Sequence, residues 1–277
     1  MDRVAKCRLW IGLGAILLLA ATLVLGTNTY GSTNWIRIGP LSVQPSEFVK
    51  IAFIFVGTST LDRLQTKKNI GEFLIFTGAC IGLLALMPDF GMALILFATF
   101  LIIAFMRSGS VRTIALVLAG AVLAVLVVLT VKPYVLDRFM GWGHVWEHIN
   151  DNLGYSQTRT LTYLASGGLF GVGLGNSYLA SVFAADSDLV FGLLCEEQGL
   201  LLGLVILLAF VLWIFYARSD VTRSRSTFFS IAACAAAGML LFQTALNVFG
   251  ATDVLPMTGV TLPFISSGGS SMISVWG

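Results

Sequence analysis

Apolar runs long enough to cross a lipid bilayer recur along the whole chain, and no other feature restricts its fold so strongly. A helix needs roughly 17 to 25 residues to traverse the hydrocarbon core, and runs near 9–26, 48–61, 73–87, 90–106, 113–131, 190–216 and 228–249 approach or reach that length. In hydrocarbon every backbone N–H and C=O needs a partner within the protein, so such runs predict helices. The fold class is therefore all-α, a polytopic membrane bundle of seven spans, with residues 1–277 forming one integral membrane domain. Only 11% of the residues are charged and 57% are hydrophobic, whereas a soluble domain carries roughly 25% charged residues to cover its surface. Collagenous, coiled-coil, disordered and disulfide-rich secreted chains are excluded. A net charge of +2 does not point to nucleic acid as a partner.

The first run follows Arg3, Lys6 and Arg8, as in a signal peptide, but it is too long for one and no small-residue cleavage site follows, so it reads as a span. Between the third and fourth runs, Met87-Pro88-Asp89-Phe90-Gly91 predicts a tight turn. Cys7, Cys80, Cys195 and Cys234 stand singly in or beside apolar stretches and read as small apolar side chains.

Cations are sorted by side. With a cytoplasmic N-terminus, the inner segments hold 11 of them (Arg3, Lys6, Arg8, Arg63, Lys67, Lys68, Arg107, Arg112, Arg218, Arg223 and Arg225) and the outer segments 5 (Arg37, Lys50, Lys132, Arg138 and Arg159). That asymmetry satisfies the positive-inside rule. Glu47, Asp89, Asp137, Glu147, Asp151, Asp186, Asp188 and Asp253 fall outside or at the outer boundary, so the polar chemistry faces outward. The inner loops are short, basic and without a phosphate loop, and no nucleotide cofactor is expected. The one large extracytoplasmic segment, 132–189, carries Trp142 and Trp146, which suit a membrane interface. Its stretch from Thr158 to Leu174 predicts a helix in or dipping into the outer leaflet, before a loop that delivers Asp186 and Asp188 to the mouth of the sixth span.

Several motifs have a sharp and a plain reading. His144-Val145-Trp146-Glu147-His148 matches the HxxEH of inverted zinc proteases, but it has no evident distal ligand and reads as an interfacial loop. The glycines from Gly167 to Gly175 follow no strand and lack the Lys-Ser/Thr of a phosphate loop, so close backbone packing or a bend accounts for them better. Gly78 and Gly82 form a GxxxG pair, a sign either of close helix packing or of chance. Glu196 and Glu197 enter the sixth span, where an ionisable group faces a cavity or pairs with a neighbouring helix. Lys50 lies three residues after Glu47, on one helix face with it. Arg37, Lys50, Arg138 and Arg159, outside against the charge trend, fit either an anionic lipid-borne group such as a pyrophosphate or snorkelling anchors.

Trp35-Ile36-Arg37-Ile38-Gly39-Pro40, followed by Gln44-Pro45-Ser46-Glu47-Phe48-Val49-Lys50, resembles the SEDS family (shape, elongation, division and sporulation; FtsW/RodA/SpoVE type). The resemblance continues in order through Pro88-Asp89-Phe90-Gly91, Gly154-Tyr155, the segment Ser166 to Ser177, Ser187-Asp188-Leu189-Val190-Phe191 and Glu196-Glu197-Gln198-Gly199. It ends with Asn247 to Gly250, Pro256-Met257-Thr258-Gly259 and Leu262 to Ser271. Met87 stands where the family has Gln, Phe183 to Asp186 where it has Pro-Glu-Ala-His, and Arg159 where it has another Gln. The match begins at the family's third of ten spans and stops before its tenth.

The resemblance implies a peptidoglycan glycosyltransferase of the bacterial cytoplasmic membrane that polymerises lipid II on the outer face, serving cell shape, division or sporulation beside a class B penicillin-binding transpeptidase. A sugar hydroxyl attacking an anomeric carbon that bears a diphosphate needs a base, whereas the diphosphate leaves without a proton, so one carboxylate and a cationic cradle suffice. Asp188 is the expected catalytic base. Arg37, Glu47, Lys50 and Arg159 are the expected substrate and pyrophosphate contacts, with Asp89, Glu196, Glu197, Ser266 and Ser270 in support. A divalent cation, Mg2+ or Mn2+, is expected to assist charge neutralisation, with no protein ligands assigned. A lipid-linked precursor flippase or a non-catalytic scaffold for the transpeptidase are the alternative readings.

Overall fold

The computed structural model of the protein describes residues 2–29, 32–39, 41–62, 67–112, 115, 117–120, 122, 141–151, 154–223 and 226–276. The described helices are α1 (Asp2–Leu25), α2 (Pro45–Asp62), α3 (Lys67–Leu86), α4 (Phe90–Ser108), α5 (Tyr155–Gly167), α6 (Val190–Gln198), α7 (Leu200–Arg223), α8 (Thr227–Ala251) and α9 (Gly269–Trp276). Within them Cys7–Leu25, Phe90–Ser108, Leu200–Ser219 and Thr227–Ala251 are long and apolar enough to cross a membrane, and Gly71–Leu86 is a shorter apolar helix. The chain is a helical, multi-pass membrane protein. The run expected at 113–131 lies almost wholly outside the described residues.

The chain clusters into two compact units. The first comprises Met1–Ile114, Ile214–Leu240 and Gly269–Gly277, and the second Ala115–Trp213 and Leu241–Gly268. In the first, α1 packs on α2 and α3. Its core is a chain of rings in which Phe53 lies 5.5 Å from both Phe73 and Phe76, and Phe73 lies 5.3 Å from Phe100. Pro45 opens α2, where its missing N–H costs nothing, and Glu47 in the first turn favours the helix dipole. Thr58, Ser59 and Thr60 return their hydroxyls to the carbonyls of Ile54, Phe55 and Val56, so these polar groups stay satisfied in an apolar helix.

Between α1 and α2 lies a small antiparallel sheet that helical periodicity did not signal, of order β1 (Thr27–Thr29), β2 (Ser32–Ile38), β3 (Leu41–Val43). Thr27 pairs with Trp35, and Ile36, Arg37 and Ile38 pair with Val43, Ser42 and Leu41. Such a local ladder satisfies its backbone groups between neighbours in sequence.

In the second unit, Leu179, Val182, Ala185, Leu189 and Ala251 form one buried cluster, and Val190, Phe191, Cys195, Val248 and Leu262 another. The helix expected within 158–174 is α5, which ends at Gly167, and the glycine-rich remainder turns back. The single span expected at 190–216 is two helices. Gly199, at φ +89°, breaks it into α6 and α7, a conformation that a residue with a Cβ rarely adopts. The glycine-rich segment supplies what the broken helix loses. Leu200 and Leu201 N–H donate to Gly168 and Leu169 carbonyls, while Val172 and Gly173 N–H donate to Glu196 and Glu197 carbonyls. The approach is so close that a Cβ on Gly171 would lie 2.2 Å from the Glu197 carbonyl oxygen. Gly78 and Gly82, by contrast, meet nothing within 4 Å among the described residues, so the pair packs closely against none of them.

Candidate functional site

The residues that the sequence singled out fall into both units. Asp188, Arg159, Glu196, Glu197 and Ser266 belong to the second, and Arg37, Glu47, Lys50, Asp89 and Ser270 to the first.

Asp188 is half-buried, one residue before the Leu189 that precedes α6. The main chain leading to it is held at three successive carbonyls. Ser267 N–H donates to Asp186 O at 2.8 Å, Ser266 Oγ to Ser187 O at 2.6 Å, and Asn247 Nδ2 to Asp188 O at 2.9 Å. Ser266 Oγ in turn accepts Leu262 N–H at 2.7 Å. A Cβ on Gly259 would lie 3.3 Å from Asp188 Oδ2, so the carboxylate rests against that bare Cα. Asp186 is exposed.

The two glutamates act on backbone. Glu196, fully buried, accepts hydrogen bonds from Ser177 Oγ, Tyr178 N–H at 2.9 Å and Leu179 N–H at 3.0 Å. Glu197 Oε1 accepts Gly175 N–H at 3.1 Å. Donors in the loop thus take the place of the cation that sequence reasoning weighed as partner, and they satisfy a carboxylate that burial cuts off from water. Arg159 on α5 is half-buried with its guanidinium 5.3 Å from the Tyr155 ring centroid, within cation–π range.

In the first unit Lys50 Nζ and Glu47 Oε2 are 2.6 Å apart, with their side chains 1% and 3% exposed. Ser274 Oγ donates to the same Glu47 oxygen at 3.0 Å. Lys50 is therefore a buried member of an ion pair, whereas Arg37 stands exposed on β2 opposite Ser42. Lys50 and Ser274 are the polar lining of a groove of about 530 Å³ otherwise walled by apolar side chains such as Ile54, Phe55, Phe228 and Met239.

Asp89 caps α4 by accepting Met92 N–H at 3.2 Å, and its other oxygen accepts Asn34 Nδ2 at 3.1 Å and Gln44 Nε2 at 3.2 Å. Burial pushes its carboxyl above the usual carboxylate range, and the hydrogen bonds from Asn34, Met92 and Gln44 pull the other way. Ser270 Oγ accepts Gln44 N–H at 3.2 Å, which ties α9 to the segment before α2.

Asn34, Gln44, Asn247, Gly259 and Ser274 were given no role on sequence grounds. Asn247, one of two buried amides with Gln243 in an apolar span, was the available signal. Among the described residues no three His, Cys, Asp or Glu side chains are grouped so as to hold a metal ion by themselves. His144, Glu147 and His148 lie in turns, and His148 Nδ1 is 3.3 Å from Asp151 Oδ2.

Membrane-crossing helices, a glycine-rich segment that turns back to clasp a broken helix, and an anchored aspartate beside it define a polytopic membrane protein with a polar site built from its loops. The chain belongs to the FtsW/RodA/SpoVE family of cell cycle proteins, whose model matches residues 1–277. It is 33% identical over 271 residues to the probable peptidoglycan glycosyltransferase FtsW of Buchnera aphidicola, covering 94% of this chain and 67% of that one. It is 36% identical over 270 residues to the protein of the same name from Coxiella burnetii, covering 93% and 72%. Among solved structures it resembles a chain of a peptidoglycan synthase complex described as coordinating polymerization and crosslinking, with a TM-score of 0.78 and 27% identity over 99% of this chain and 79% of that one. Thermus thermophilus rod shape determining protein RodA gives a TM-score of 0.68 and 25% identity over 99% and 75%.

Proposed function

We propose that this protein is a peptidoglycan glycosyltransferase that polymerises lipid II, with Asp188 as the general base. The observation that carries the reading is the fixed Asp188, its peptide anchored by Asn247 and its neighbours by Ser266 and Ser267, in a chain whose relatives bear that enzymatic name. The Asp188 carboxylate takes the proton of the acceptor sugar hydroxyl. The oxygen forms a bond to the donor's anomeric carbon as the bond from that carbon to the phosphate oxygen breaks, and the diphosphate departs with the electron pair. A single displacement inverts the centre, from an α-linked donor to a β-linked glycan.

Arg159, in the unit that carries Asp188, offers a guanidinium to the departing diphosphate. Glu196 and Glu197 shape the loop ahead of Asp188 through their bonds to its backbone. The 11 to 5 partition of cations supports a cytoplasmic N-terminus and an extracytoplasmic site. A class B penicillin-binding transpeptidase is the proposed partner, supported by the likeness to a complex that couples polymerization to crosslinking.

The test is glycan synthesis from labelled lipid II by the membrane-reconstituted protein with its transpeptidase. Losing a general base costs about 100 to 10,000-fold in rate, so Asp188→Asn abolishes detectable polymer while Asp186→Asn has a smaller effect. Parent-rate synthesis by Asp188→Asn refutes the base assignment. A parent without activity favours the scaffold reading, and movement of lipid II across the bilayer without polymer favours the flippase.

A further inference from the structure

Of the three donors that hold the carbonyls of residues 186–188, only the amide of Asn247 acts on Asp188 itself. The same nitrogen also donates to Val260 O at 2.7 Å. Val260 follows Gly259, whose bare Cα faces Asp188 Oδ2. One NH2 group thus pins the peptide that carries the carboxylate and the peptide beside the surface on which that carboxylate rests.

We propose that Asn247 is a positioning residue for the general base, and that Gly259 is the surface that sets the carboxylate's orientation. The inference rests on the assignment of Asp188 above. Few side chains can do this. A serine has one hydrogen to give, an aspartate none, and a glutamine holds its amide one methylene further out. Asn247 is 3% exposed on α8, and its Oδ1 has no hydrogen-bond partner among the described residues. An orphaned buried acceptor destabilises the fold, and an apolar side chain of similar volume would avoid it. The amide is accounted for by its two donors, and both act on the surroundings of Asp188.

Proton transfer requires the base within about 2.6–3.2 Å of the hydroxyl, and a misplacement of about 1 Å costs on the order of 100-fold. Asn247→Leu, measured in the full reconstituted chain with labelled lipid II, is therefore expected to lower kcat roughly 100-fold with KM little changed. The acidic limb of its kcat–pH profile, which the base sets, moves as well. A merely structural role lowers the folded fraction and scales the whole profile without moving that limb. Gly259→Ala presses a methyl group toward Oδ2 without altering α8, and because a Cβ at φ +65° also strains the turn, the limb shift in the folded variant is the readout, with reduced kcat beside it. It decides the matter if Asn247→Leu does not fold.

Parent kcat in the folded variants, or a loss with an unmoved limb, overturns the inference. Asp188→Asn measured in parallel separates the two readings. If it retains the parent rate, the base assignment fails. If it is inactive while Asn247→Leu and Gly259→Ala run at the parent rate, only the positioning role fails.

Discussion

Replacing Lys50 with methionine leaves the Glu47 carboxylate in a site where its side chain is 3% exposed, with the Ser274 hydroxyl as a remaining donor. Removing one member of a buried ion pair costs about 3–5 kcal/mol, because the other charge stays buried without compensation. The Ser274 hydrogen bond, of a kind worth about 1.5–3 kcal/mol, is already present in the parent and cannot offset the loss. At roughly 2–4 °C per kcal/mol for a large domain, Lys50→Met lowers the unfolding midpoint by about 6–20 °C. The double change Glu47→Leu with Lys50→Met removes both charges, and such replacements are commonly neutral or stabilising by about 1–4 kcal/mol. Thermal unfolding in detergent of the parent, both single variants and the double variant closes the cycle. A loss below about 1 kcal/mol in Lys50→Met, or a double variant no more stable than the single, refutes the burial argument. With its ammonium 1% exposed and held by Glu47, Lys50 is expected to act on structure, so turnover returns with stability. A stable double variant without turnover would return Lys50 to the pyrophosphate cradle that the sequence suggested.

Glu196→Gln keeps the size of the side chain but turns an amide toward the Tyr178 and Leu179 N–H groups, so increased proteolysis within 177–181 is expected and unchanged cleavage contradicts the clasp. Asp89 gives a pH dependence of known sign. Its carboxyl is raised in the folded state, so its contribution is complete below the unfolded value of about 3.9 and is lost as pH rises through the folded value. Asp89→Asn removes that contribution, so the midpoint difference between variant and parent shifts in favour of the variant from pH 4 toward neutrality, and a difference independent of pH opposes the assignment. Cysteines introduced at Asp151 and Asp220 should label from opposite faces of the membrane, Asp151 from outside, and labelling of both from one face would overturn the orientation.

What was legible in the sequence acts over one or two helical turns, or through composition. Bilayer-length apolar runs have few alternatives to helix, because hydrocarbon offers backbone groups no other partner. The Glu47–Lys50 pair and the turn at Asp89 depend on spacings of three residues, which a helix converts directly into contact. The ordered motifs carried the family. Tertiary structure decided the rest. Gly199 follows Glu196, Glu197 and Gln198 in an otherwise apolar run, and nothing in that run shows that the 168–173 segment replaces the helical hydrogen bonds it interrupts. Glu196 looked like half of an ion pair because its donors are main-chain N–H groups, which every residue but proline carries and which no pattern of residue types marks. Ser274 reaches Glu47 across 227 positions and Asn247 reaches Asp188 across 59. A hydrogen bond requires its atoms to meet within about 3 Å, and at such separations the folded path of the backbone alone fixes which donor arrives.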